Sequence, residues 1–231
     1  MAIPVLKSTA ARDEKFAGVT YHIEGELVPV LHLELGSAPV YFEHYILLWK
    51  EPAVQIGVKS LKGSLKRVLA GMPIFMTEAR GPGQIGFSRD GPGHIFAIDL
   101  NQGEGIEMRE HQFLAATASV DYTFTRVQGI ANMLLGGTGF FIDHFTAQQG
   151  EGIVWVHGYG NVFEVTLAAG EQIDIEPGGW VYKDRGVRMD TQFQKLSTGL
   201  FASAGQVVWN RFTGPGRVGI QSMYLHMPTT E

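Results

Sequence analysis

Residues 212 to 222 read FTGPGRVGIQS, and residues 79 to 88 read ARGPGQIGFS. Both phrases run Gly-Pro-Gly, a polar residue, an apolar residue, Gly, an apolar residue. Proline fixes φ and the glycines tolerate positive φ, so each phrase predicts a tight turn opening onto a strand. The two copies stand 133 positions apart (214 minus 81). Midway lies FTAQQGEGIVWV, residues 145 to 156, whose Thr146 stands 67 before Thr213 and whose turn is longer and lacks proline.

The match spreads outward from these turns. Gly71-Met-Pro-Ile-Phe75 answers Gly137-Thr-Gly-Phe-Phe141 and then Ala204-Gly-Gln-Val-Val208. Phe163-Glu-Val-Thr-Leu167 with Gly170-Glu171 repeats Phe96-Ala-Ile-Asp-Leu100 with Gly103-Glu104, and Leu31, Leu33 and Gly36 hold the same places earlier. Val54, Val120 and Val187 open a further matching strand. Blocks in one order at one period are the signature of a repeat architecture. The chain reads as a leader (1–26) and three modules, 27–92, 93–159 and 160–231. HIFAIDL and NVFEVTL alternate apolar and polar residues, as strands with one buried face do. The Gly-Glu pairs at 103–104 and 170–171 predict hairpin turns. Residues 61–69 carry helical spacing, 130–135 reads as a copy of the same short helix, and 197–203, poorer in helix formers, reads equally as a loop or a helix. The expected fold is all-β, of β-sandwich type, with short helical excursions.

Composition bounds function. The 231 residues are 45% hydrophobic and 18% charged, with 30 glycines, which suits a globular chain of short strands and tight turns. There is no cysteine, which excludes disulfides, a thiolate nucleophile and Cys-bearing zinc sites. Residues 1–16 hold no signal-peptide core and no apolar run is long enough to cross a bilayer, so a soluble cytoplasmic protein without membrane insertion is expected. Net charge is −5. The densest cationic stretch (Lys59, Lys62, Lys66, Arg67) reads as a solvated face, so nucleic-acid binding is not expected.

LKGSLKRVLAG (61–71), PIFMTEARGPGQIGF (73–87), FLAATASVDYTF (113–124) and GLFASAGQVVWNRFTGPGRVGIQS (199–222) resemble, in the same order, the bacterial relatives of the mitochondrial biogenesis family called altered inheritance of mitochondria 24. The resemblance implies three tandem short double-stranded β-helix modules like that of the trp RNA-binding attenuation protein (TRAP-like). It also implies a homotrimer forming a ring of nine modules, with no established biochemical activity. The family commonly writes Glu-Pro-Gly at Glu176-Pro177-Gly178, where the other modules here have Glu43-His44-Tyr45 and Glu110-His111-Gln112.

No catalytic, cofactor-binding or metal residues are assigned, and no cofactor is expected. The one polar constellation is the belt Glu43, His44, Glu110, His111 and Glu176, whose carboxylates and imidazoles are the right types for a divalent metal. The reading adopted is a repeated turn with exposed polar side chains. None of the eight histidines forms His-x-His, and His22 with His32, or His144 with His157, lie too far apart in sequence for a cupin-type centre. Asp143-His144 looks like half of an acid–base pair but is read as two polar side chains on the surface of a strand. The Gly-Pro-Gly phrases lead into strands and not helices, so they lack the helix N-terminus of a phosphate loop. Trp49, Trp155, Trp180 and Trp209 read as core or interface aromatics. The sequence thus predicts a non-enzymatic ring-forming scaffold or binding protein. The alternatives are a small-molecule-binding ring, an unknown protein partner, or a cupin-type metalloenzyme.

Overall fold

The structure, a computed structural model, describes residues 3–7, 14–16, 18–60, 75–127, 140–195 and 206–223. The excursions predicted at 61–69, 130–135 and 197–203 lie outside the described residues, as do Lys62, Lys66 and Arg67. Three strands come first: β1 (Val5–Leu6), β2 (Glu14–Phe16) and β3 (Val19–Glu24). Next come β4 (Val30–Leu35), β5 (Val40–Phe42), a 3-10 turn (His44–Ile46), β6 (Leu47–Lys50), β7 (Gln55–Ser60), β8 (Phe75–Arg80) and β9 (Gly83–Phe87). The middle of the chain holds β10 (Gly93–Leu100), β11 (Gly105–Arg109), β12 (Phe113–Thr117), β13 (Val120–Val127), β14 (Phe140–Ala147) and β15 (Gly152–Tyr159). The last six are β16 (Val162–Leu167), β17 (Gln172–Ile175), β18 (Trp180–Asp184), β19 (Arg188–Lys195), β20 (Gln206–Thr213) and β21 (Gly216–Gln221). The fold is all-β, and every pairing is antiparallel.

From β4 onward, four pairings recur. The first strand of each six pairs with the sixth: β4 with β9, β10 with β15, β16 with β21. The third also pairs with the sixth: β6 with β9, β12 with β15, β18 with β21. The second and fourth pair with the fifth: β5 and β7 with β8, β11 and β13 with β14, β17 and β19 with β20. Two sheets therefore share each six strands, and apolar residues of both fill the space between. Alternation supplies the buried set: in β10, Ile98 and Leu100 are buried while Asp99 is exposed.

The Gly-Glu and Gly-Pro-Gly turns are not hairpins, because each joins strands of different sheets. Their residues serve another purpose. Gly103 and Gly170 take φ of 88° and 78°, and Glu104 and Glu171 accept from the backbone N–H of Asn101 and Ala168 at 2.9 and 3.0 Å. The Gly-Pro-Gly turn then packs its backbone onto the turn after the first strand. A Cβ on Gly81 would lie 2.2 Å from the Leu35 carbonyl oxygen, and one on Gly214 2.3 Å from that of Ala168. The phrase recurs because two backbones meet there with no room for a side chain.

The leader belongs to the sheets. β3 pairs with β4 and sends Val19, Tyr21 and Ile23 into the first core, while β1 pairs with β16. Lys7 Nζ lies 2.6 Å from Glu164, so residues before position 27 tie the first and third stretches together.

Candidate functional site

The three acidic turns sit where the second strand of each six gives way to the third. Glu43 accepts from Arg89 Nη1 at 3.3 Å and from the Tyr45 hydroxyl. The Arg89 guanidinium is buried and also reaches the Phe113 carbonyl. Glu176 accepts from the Gly178 N–H at 2.6 Å, closing its own turn. Burial pushes the Glu110 carboxyl above its ordinary range, against the nearby His111 and Arg109 charges. Arg109 donates to the Gly178 carbonyl at 2.9 Å and lies in the field of both Glu110 and Glu176. His111 holds a φ of 68° at its turn. The carboxylates are thus engaged with arginines and turn amides. Among the described residues, no three His, Asp or Glu side chains converge to hold a metal.

Asp143 and His144 part company because neighbours on a strand face opposite ways. Asp143 is buried and accepts from the Tyr122 hydroxyl at 2.7 Å. That corrects its reading as a surface residue. His144 sits on the other face, 2.8 Å from Thr125 Oγ1 and 3.4 Å from Glu107. Glu107 in turn meets Lys183 at 2.6 Å. Burial opposes its ionisation, but hydrogen bonds from His144 and Lys183 outweigh that and hold its pKa at about 2. His22 and His32, distant in sequence, are opposed in the β3–β4 ladder with ring centroids 6.2 Å apart. His157 is buried; that burial, with the Arg89 and His94 charges, pushes its pKa down to about 4.

The feature with the largest structural consequence is how one stretch joins the next. β5 pairs with β12, and β11 pairs with β18: each time, the second strand of one six pairs with the third strand of the following six. Continuing that rule, among the described residues β17 has no third strand beside it and β6 has no second. β17 ends the three-stranded sheet β17-β20-β19, and β6 ends the five-stranded sheet β2-β3-β4-β9-β6.

Each third strand carries an irregularity at the same place, where the ladder skips Leu48, Leu114 or Val181. A bulge re-aims the skipped side chain. Leu114 joins the core built from β3, β4 and β9 of the preceding stretch, and Val181 joins the middle core. Both are fully buried; Leu48 is 58% exposed. The third core receives no residue from a following stretch. Sequence reasoning missed this set. Its signal was an apolar residue in all three copies of a position, which repeats alone do not assign to a neighbour.

The family model for mitochondrial biogenesis AIM24 matches residues 21–223. The fold is similar to the crystal structure of a Streptococcus pyogenes protein, with a TM-score of 0.67 at 23% identity, covering 89% of this chain and 94% of that one. No curated protein matches the chain.

Proposed function

The chain belongs to the mitochondrial biogenesis AIM24 family, and from that premise we propose that it is a non-enzymatic scaffold whose activity is assembly. In this reading the three stretches are copies of one short double-stranded β-helix module of TRAP-like kind. Three chains join head to tail into a homotrimeric ring of nine modules. The observation that carries it is the pair of edges left open among the described residues: one third-type strand, β6, and one second-type strand, β17, each of the kind that the other's counterparts pair with inside the chain. Unpaired backbone groups on an edge are a template for another strand. The reading assigns no catalytic residue and no cofactor, and it treats the acidic turns as braces of the module joints.

Light scattering after size exclusion tests it on untagged protein. The expected mass is about three times the 25.3 kDa of the chain. A single-chain mass at micromolar concentration overturns the proposal.

A further inference from the structure

The in-chain joints fix not only which strands meet but in what register. At the first joint Phe42 faces Ala115, Tyr41 faces Ala116 and Val40 faces Thr117. At the second, Met108 faces Tyr182, Glu107 faces Lys183 and Ile106 faces Asp184. The positions correspond through their ladders. Phe42, Met108 and Ile175 oppose Thr77, Asp143 and Asn210 of the fifth strands. Ala115, Tyr182 and Trp49 oppose Trp155, Gly219 and Gly86 of the sixth. On the free edges the same places hold Ile175, Asp174 and Ile173 on β17, and Trp49, Lys50 and Glu51 at β6.

We infer that β6 of one copy docks antiparallel on β17 of a second copy, with Trp49 opposite Ile175, Lys50 opposite Asp174 and Glu51 opposite Ile173, and with Leu48 entering the second copy's third core. This rests on the assembly reading above and gives it an address.

Charge complementarity supports the register. At the second in-chain joint, the acid on the second strand (Glu107) lies between the imidazole of His144 on its own fifth strand and the lysine of the facing third strand, Lys183. On the free edge Asp174 already holds Arg211, in the place of His144, at 2.7 Å. Lys50, in the place of Lys183, donates within its own chain to the Glu51 carbonyl. The acid lies on the second-strand side and the lysine on the third-strand side, as in the joint already formed. A register slipped by one residue would put Lys50 opposite an isoleucine, Ile173 or Ile175.

Apolar complementarity agrees. Leu48 and Trp49 are exposed apolar residues on β6, while Ile173, Met189 and Ile220 are only partly buried against the third core. The counterparts of Leu48 are closed over completely in the other two joints. A second copy therefore supplies what each in-chain joint supplies.

The cysteine-free chain makes the test direct. A Lys50→Cys/Asp174→Cys variant, oxidised and run on non-reducing denaturing gels, is expected to give covalent multimers ending at the size of the closed ring. Each single-cysteine variant is expected to give none. Lys50→Cys/Gln172→Cys, two places out of register on the same face, is expected to link at least tenfold less. Leu48→Asp, at a side chain open to solvent in one chain, is expected to run at the mass of one chain with an unchanged circular dichroism spectrum. A multimeric wild type in which the 50/174 pair fails to link, or links no better than 50/172, overturns the register and leaves assembly standing. A monomeric wild type overturns both. A Leu48→Asp variant that keeps the wild-type mass overturns the seating of Leu48.

Discussion

His157 offers a quantitative test of how the interior is built. It lies on β15 at 1% exposure, with Arg89 and Asp90 following β9 and His94 on β10 as its charged or titratable neighbours. Burial first, then the Arg89 and His94 charges, push its pKa from an ordinary 6.5 to about 4, against the opposing pull of the Gly91 backbone and Asp90. Because the folded pKa lies below the unfolded one, the unfolded chain binds the extra proton between those values. Stability is then fully present above pH 6.5 and is lost as pH falls toward 4. Going from pH 7.5 to 5.0, linkage with pKa values of 6.5 and about 4 removes about 2 kcal/mol.

The variant His157→Gln isolates that contribution. Gln221 occupies the corresponding place on β21: His157 faces Ile95 as Gln221 faces Val162. An amide there has precedent in the fold, since Gln221 accepts from the Tyr159 N–H and donates to the Gly178 carbonyl. Urea unfolding followed by tryptophan fluorescence, at one protein concentration, gives both proteins' stabilities at the two pH values. The wild type is expected to lose about 2 kcal/mol more than the variant. Comparing the two cancels groups they share, including Glu110, whose raised carboxyl works in the opposite sense. Equal losses, within about 0.5 kcal/mol, would refute a neutral imidazole buried at this place.

At the second in-chain joint, Glu107→Gln leaves the buried Lys183 ammonium without its carboxylate, holding only the Val187 carbonyl, and is expected to cost about 3 kcal/mol in urea unfolding. Lys183→Met, which leaves Glu107 its His144 partner, costs less than half as much. Gly214→Ala forces a Cβ against two carbonyl oxygens and is expected to cost about 3 kcal/mol or more. Gly170→Ala meets open space at a φ of 78° and costs about 1 kcal/mol, as thermal melts of the pair will register. Leu114→Ala empties a closed site and costs about 2–5 kcal/mol of chain stability. Leu48→Ala leaves the isolated chain within about 0.5 kcal/mol and instead lowers the solution mass at low concentration.

The strands were legible because burial on one face writes a period of two into the sequence, and the repeated Gly-Pro-Gly and Gly-Glu pairs marked where they turn. Which sheet each strand joins was not legible. A tight turn between sheets and a hairpin turn ask for the same residues, so Gly103-Glu104 read as a hairpin when its glutamate caps a crossing between sheets. The leader went unassigned for a related reason: β3 alternates as well as any other strand but has no counterpart 67 residues on. The acidic belt was found as a set of positions. Its engagement was not, because Arg89 and Arg109 reach Glu43 and Glu176 through space, and nothing in the spacing links them. His22 and His32 show the same limit, since only the β3–β4 register makes them neighbours.

The direction of the in-chain joints decides what kind of assembly is open to the chain. Every in-chain joint runs from the second strand of one stretch to the third strand of the next, so among the described residues three stretches leave one strand of each kind with an open edge. A two-fold dimer would set like against like: β6 on β6 brings Lys50 toward Lys50, and β17 on β17 brings Asp174 toward Asp174. Like charges opposed across a ladder are destabilising. Pairing β6 with β17 opposes unlike charges and repeats a geometry the chain already builds twice. Such a joint is heterologous, and it ends only by closing on itself or by growing into a filament. Both edges are short, four residues each, so a single joint is weak on its own. In the proposed ring, closure would give every chain two joints at once, and the last one would form without a further loss of translational freedom. For that reason the dissociation of the assembly on dilution is expected to be abrupt, passing from closed ring to single chains with open intermediates scarcely populated. Mass photometry across a dilution series checks this, and a broad distribution of open pairs would point to filament-like growth in place of a ring.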